Sequence, residues 1–312
     1  MSWQQVHAAI VAVGEPATAD QVDLLHSLLA RFVERNEDSR TLPDIDTAGL
    51  DRLDPLAALL ERQDVANSSL PVRLLVLKTL KIASRRQDVR QRCSQRVLEV
   101  LTPLLEGSNQ PAADESKHQQ QRQYLKAALV SEAANTLGNL CYEPANCTAL
   151  TRVGGVQSLL QLLSDEGSGK EAQANAAGAL QTLSFQPDAR AAVVKGGGAV
   201  KLLRILEILS TARVPADSIE VRLHQRLAGA LQNVSSSADG IAAIRQHDGI
   251  ATIVGLLYSP HPGVAAAAAG ILHNMSREAV ARCEMHRHPH MLSCLTALLT
   301  GADTQVQGTG CT

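Results

Sequence analysis

The densest collection of potential metal ligands is RCEMHRHPHMLSC (282–294), which holds Cys283, His286, His288, His290 and Cys294. A structural zinc site needs four ligands converging tetrahedrally, usually from tight Cys or His pairs. Here Pro289 places a corner inside the run, so the five side chains are not expected to converge and no metal or cofactor is assigned. SDEGSGKEAQ (164–173) is a poor phosphate loop, because it lacks the first Gly and has no Ser or Thr after Lys170. KGGGAV (195–200) reads as a corner between helices. No nucleophile–base pair sits in a recognisable context, so no catalytic residue is assigned.

The side chains with more to offer recur at regular places. Asn139, Thr182, Asn233 and Asn274 mark four stretches that superimpose: AANTLGNLCY (133–142), NAAGALQTLS (175–184), RLAGALQNVS (226–235) and AAAGILHNMS (267–276). The marks are separated by 43, 51 and 41 positions. A carboxamide donates and accepts, so Asn139, Asn233 and Asn274 suit the main chain of an extended partner, whose amide groups need pairing. The same chemistry would serve equally to tie down a helix C-terminus or a neighbouring repeat. One turn earlier stand Asn135, Gly178, Gly229 and Gly270. Glycine there either leaves a slot for an apolar group between Leu137, Leu180, Leu231 and Leu272, or lets adjacent helices approach closely.

These marks need helices to position them. GGVQSLLQLLS (154–164), GGAVKLLRILEILS (197–210) and DGIATIVGLLYS (248–259) open on a Gly or Asp-Gly corner and continue with apolar residues at helical spacing. HMLSCLTALLT (290–300) follows the same pattern without the corner. A short helix precedes each of the first three, at 145–153, 188–196 and 238–246. The unit is therefore a short helix, a Gly corner, a second helix, a loop and a longer third helix. Two weaker units lie upstream, with Ile82 in the place of the mark. A period near 40–47 residues is that of stacked helical repeats, which build an elongated binding surface instead of a pocket.

The spacing predicts an N-terminal helical cap over 1–47, an array over 48–300 with about five units and a partial last one, and a disordered tail over 301–312. Within the cap, helices are expected around 3–13 and 19–35. The polar stretches 108–121 and 210–218 are expected to be loops. Ala and Leu supply the core, since aromatics make up 2% of the chain, too few for base-stacking modules. A net charge of −2 adds no field favouring nucleic acid or membrane. The first 21 residues lack the basic and apolar regions of a signal peptide, and no run is long enough to span a bilayer. The cytosol, with the nucleus as a second compartment, is the expected location.

The Gly-corner helix followed by A-x-x-L-x-N-L resembles the armadillo repeat over about residues 48–300. The resemblance implies an all-α fold, a right-handed armadillo superhelix whose third helices line a concave groove. It implies a non-enzymatic scaffold with a protein partner bound in that groove. Within that family, LGNLCYEPANCTALTR (137–152) and the insert-bearing unit at 201–257 are most similar to the small-GTPase GDP-dissociation stimulators. That subgroup implies a regulator or chaperone of Ras- or Rho-type GTPases with a polybasic, prenylated tail. The alternatives are a cytoskeletal, junctional or vesicle adaptor and a nuclear-import receptor. Import receptors of this family carry Trp one turn before the mark, whereas the one Trp here is Trp3.

Overall fold

The computed structural model describes residues 3–38, 43, 53–62, 70–106, 117–210, 218–293 and 296. No strand occurs among the described residues. The helices fall into two compact units, 1–183 and 184–312.

Unit 1 opens with α1 (Trp3–Ala12) and α2 (Ala19–Arg35). Thr18 and Gln21 form a reciprocal capping box at the α2 N-terminus, with Gln21 N donating to Thr18 Oγ1 (3.3 Å) and Thr18 N to Gln21 Oε1 (3.0 Å). Trp3 is buried and its ring meets that of Phe32 at 5.4 Å. Next come α3 (Asp54–Glu61), α4 (Leu70–Ala83), α5 (Gln87–Gln91), α6 (Gln95–Leu101) and a 3-10 turn over Thr102–Leu105. Then α7 (Lys117–Leu140), α8 (Pro144–Arg152), α9 (Gly155–Ser164) and α10 (Lys170–Leu183) complete the unit. The row α2, α4, α7, α10 packs side by side, each helix against the next.

Unit 2 comprises α11 (Pro187–Lys195), α12 (Gly198–Ser210), α13 (Ile219–Val234), α14 (Ala238–Gln246), α15 (Gly249–Leu256), α16 (Pro262–Met275) and α17 (Ala279–Arg287). Here α13 and α16 pack directly together, with α12 and α15 behind them.

The corners explain the glycine doublets. Gly154 and Gly197 take the left-handed conformation, with φ of 82° and 75°, and Asp248 does the same at 54°. The residue after the left-handed one has a different task. A Cβ on Gly155 would strike the Leu150 side chain, and one on Gly249 would strike Ile244 and Leu203. One residue turns the chain and the next lets the second helix lie against the first.

Some sequence expectations need correction. Residues 117–121, expected as part of a loop, are the first turns of α7, whose 24 residues make it longer than its counterparts. The rest of that stretch lies outside the described residues, as do 211–217 of the other expected loop. Ser218, at its end, caps α13 by accepting from Val221 N at 3.3 Å. Of the helix expected over 290–300, His290 is in a turn, residues 291–293 and 296 are helical, and the others lie outside the described residues, as does the tail 301–312.

Candidate functional site

The marks sit near the C-terminal ends of the third helices, where carbonyls lack intrahelical donors. In unit 1, Asn139 Nδ2 donates to Ser84 Oγ (3.1 Å) and to Lys81 O (3.4 Å), both on the preceding repeat. In unit 2, Asn274 Nδ2 donates to Ser235 Oγ (3.0 Å) and Gln232 O (3.2 Å). Each serine has already given its proton away: Ser84 Oγ donates to Lys81 O at 2.7 Å, and Ser235 Oγ to Gln232 O at 2.7 Å. Both groups facing each Asn are therefore acceptors, which fixes the amide with its NH2 inward. What each Asn leaves for a partner is Oδ1, an acceptor.

Of the two roles open to the marks, the structure thus builds the tie to the neighbouring repeat and leaves half of the carboxamide for the other. Thr182 does neither, since its Oγ1 donates to Gly178 O of its own helix at 3.1 Å. Asn233 lies half-buried at the corresponding place on α13. A further tie joins α7 and α10, where Asn175 Nδ2 donates to Ser131 Oγ (3.0 Å) and Ser131 O (3.2 Å). The signal for the locks was present in the sequence: Ser84, Ser184, Ser235 and Ser276 each stand two residues after a mark position.

The positions one turn earlier differ from repeat to repeat. Asn135 is half-buried, and its side chain makes no hydrogen bond among the described residues. Gly229 is buried and Gly178 half-buried. At Gly270 an added Cβ would overlap the Gln232 carboxamide, so the space that glycine opens is filled by a side chain of α13. Seven residues earlier the arrangement repeats, with Gln225 3.4 Å from where a Gly263 Cβ would be. Leu137, Leu180, Leu231 and Leu272 are all buried in packing. The expected apolar slot is therefore not open at Gly270. At Gly138 an added Cβ would lie 3.4 Å from the Ala179 backbone, an ordinary contact, so close approach does not demand glycine there.

After the first repeat comes a run of basic residues, Lys78, Lys81, Arg85, Arg86, Arg90, Arg92 and Arg96, and most of it is engaged. Lys81 Nζ lies 2.8 Å from Glu132 across α4 and α7. Arg85 caps the end of α2, donating to Asn36 O at 2.8 Å and Asp38 O at 3.2 Å. Arg86 pairs with Asp88, whose carboxyl that contact holds below the usual range. Arg90 caps α4 through Ser84 O (3.2 Å) and Arg85 O (2.7 Å), and its guanidinium lies 5.6 Å from the centre of the exposed Tyr142 ring. Arg190 on Ser184 O and Arg282 on Ser276 O repeat the same cap six residues after each serine. Lys78 is the exception: it is half-buried, without an ion pair or hydrogen bond among the described residues.

Other chemistry is thin. Among the described residues no three His, Cys, Asp or Glu side chains gather to hold a metal ion. Cys283 is exposed, His288 and His290 meet ring edge to ring at 6.4 Å, and Cys294 lies outside the described residues. Cys141 and Cys147 are buried thiols, and Cys147 Sγ donates to Cys141 O at 3.0 Å. Burial, helped by the nearby Asp54 charge, pushes the Cys93 thiol up to about 12, so it is not a ready nucleophile. No helix is long and apolar enough to cross a membrane, among the described residues.

Residues 237–277, from the α14 N-cap to just beyond α16, match the armadillo/beta-catenin-like repeat family model. No curated protein matches the chain in sequence. Several solved structures share its fold. An engineered protein is 23% identical, with 88% of this chain and 97% of that one covered and a TM-score of 0.66. A structure of computationally designed armadillo repeat proteins for modular peptide recognition is 15% identical, covering 86% and 98%, with a TM-score of 0.62. A designed armadillo repeat protein in complex with the peptide (KR)4 is 16% identical, covering 86% and 98%, with a TM-score of 0.60. These identities establish the fold alone: the chain has the all-α armadillo-type repeat architecture, with the family model matched over one repeat.

Proposed function

We propose that this chain is a non-enzymatic scaffold that holds a polypeptide partner along its third-helix rows. One observation carries the reading. The inward half of the Asn139 and Asn274 carboxamides is taken up by the framework, while each Oδ1 remains an acceptor for a main-chain N–H. An extended segment has such donors unpaired along its length and gains by satisfying them. That the designed armadillo proteins of like fold are described as recognising peptides supports this. The array over 48–300, capped by 1–47, is the body we assign to the task. Replacing Asn139 and Asn274 together by Leu and capturing partners from native lysate tests it. Partners retained by the wild type and lost by the double variant are the expected result. Identical sets from both would overturn the reading.

The partner we favour is a Ras- or Rho-type small GTPase with a polybasic, prenylated tail. The support is the segment 137–152, which forms the end of α7 and all of α8 around Asn139 and Tyr142. Stimulation of nucleotide release would follow from binding the nucleotide-poor GTPase more tightly than the loaded one. A prenyl group seated at Gly270 would first require Gln232 to swing away. The chain should accelerate release of a fluorescent GDP analogue from such a GTPase. An unchanged rate, with peptides still bound, would leave the adaptor reading in its place. Either partner class puts the chain in the cytosol or nucleus.

A further inference from the structure

We propose that Lys78, Asn135 and Asn139 form a carboxylate-reading subsite on unit 1, which selects an acidic extended segment. This rests on the scaffold reading above but not on a polybasic tail as the bound segment, and it specifies the charge class of what unit 1 holds. Lys78 stands one turn before position 82 of α4, and Asn135 one turn before Asn139 of α7. The two helices pack side by side, pinned by Asn139 on Ser84 and by the Lys81–Glu132 ion pair. Lys78, Asn135 and Asn139 therefore share one face.

Charge decides the class. Glu132 on α7 is matched by Lys81, and Arg85 is committed to the α2 C-terminus. Among the described residues that leaves the Lys78 ammonium half-buried without a counter-ion, at the register position on α4 that corresponds to Asn135 on the adjoining α7, whose carboxamide is likewise without a partner. A half-desolvated cation gains more from a carboxylate than an exposed one does. The carboxamide NH2 supplies a second donor to the same group. Asn139 presents only an acceptor, so it takes the partner's main-chain N–H and would repel its carboxylate. Four helical residues advance about 6 Å, so a segment whose main chain crosses the row at Asn139 can reach Lys78 and Asn135 with a carboxylate side chain. A (KR)4-like peptide would meet the wrong charge here.

The test is fluorescence anisotropy of the full chain with labelled (ES)4, (GS)4 and (KR)4 octapeptides and with oligouridylate. A charged hydrogen bond of ordinary strength predicts that (ES)4 binds about tenfold or more tighter than (GS)4. Lys78→Met should abolish that preference, and Lys78→Arg should keep most of it. Asn139→Leu should weaken both peptides alike. Circular dichroism confirms folding, which a side chain without partners should not disturb. If (GS)4 or (KR)4 binds at least as well as (ES)4, or Lys78→Met leaves the preference within twofold, the subsite is wrong while the scaffold reading stands. Oligouridylate binding with the same Lys78 dependence would reduce it to a bare anion site. If no peptide binds, the scaffold reading falls and this proposal falls with it.

Discussion

The α4–α7 pair of unit 1 and the α13–α16 pair of unit 2 share a lock and differ in almost everything around it. In both, an Asn amide bridges a serine hydroxyl and a carbonyl of the preceding third helix. Around the first lock stand an ion pair and, without partners among the described residues, the Lys78 ammonium and the Asn135 carboxamide. Around the second, glutamines lie over glycines: Gln232 on Gly270 and Gln225 beside Gly263. The shared part satisfies the same need, helix-end carbonyls that must be paired in any repeat. The differing part faces outward, where nothing in the fold demands one residue type. Framework and recognition are thus separable on the same helices.

The largest effects should come from the buried leucines beneath each row. Leu137→Ala and Leu272→Ala should each cost about 2–5 kcal/mol, both sites being buried. The chain's one Trp, Trp3, reports on unit 1, whereas circular dichroism reports on both units. In chemical denaturation, Leu137→Ala should move the fluorescence transition and Leu272→Ala mainly the dichroism. Equal movement of the Trp signal by both variants would show that the two units unfold as one.

Glycines sharpen the contrast next. A Cβ on Gly240 would overlap the Val234 carbonyl, which is backbone and cannot swing aside. Gly240→Ala should therefore cost up to about 3 kcal/mol. Gly138→Ala meets Ala179 at 3.4–3.6 Å, close to ordinary contact, and should be neutral or gain up to about 1 kcal/mol from helix propensity. Thermal melts in which both variants are equally destabilised would contradict this packing.

Breaking the locks themselves comes third. Asn139→Ala and Asn274→Ala should each cost about 1 kcal/mol. Asn→Asp is the more informative change, because a carboxylate would face two acceptors. Its folded-state pKa would rise above the unfolded value, so stability would be retained at acid pH and lost as pH rises through the folded pKa. If Asn139→Asp and Asn274→Asp responded to pH in opposite directions, the two locks would not be equivalent.

The smallest effect at neutral pH belongs to unit 2 alone. Burial, with the charge of His261 adding to it, pushes buried His224 down to about 4. Its folded pKa is therefore below the unfolded value of about 6.5. The neutral form's contribution is complete above that value and is lost as pH falls from about 6.5 towards 4. His224→Leu should flatten this acid dependence in the dichroism melt and leave the Trp3 signal unchanged.

Much of the fold was legible because it follows from periodicity. The marks, the Gly corners and the short helices all appeared at their places from spacing alone. The doublets at 154–155, 197–198 and 248–249 read correctly as corners because turn chemistry is local. Residues 117–121 misled for the converse reason: a Gln-rich polar stretch looks like a loop, yet Gln and Lys have good helix propensity and simply extend α7 into solvent. Asn139 and Asn274 were found, but their orientation was not, because it depends on Ser84 and Ser235, 55 and 39 residues away.

The amino-acid sequence by itself determined that this chain is a helical repeat, where its corners fall and which asparagines recur, since all of these depend on residues within a turn or two of each other. Only the tertiary structure decided that the asparagine NH2 groups point inward, that Gln232 fills the space over Gly270, and that Lys78 meets no counter-charge among the described residues. Those are pairings between side chains on separate helices, and which partner each one meets depends on the register of packing, which local pattern does not encode.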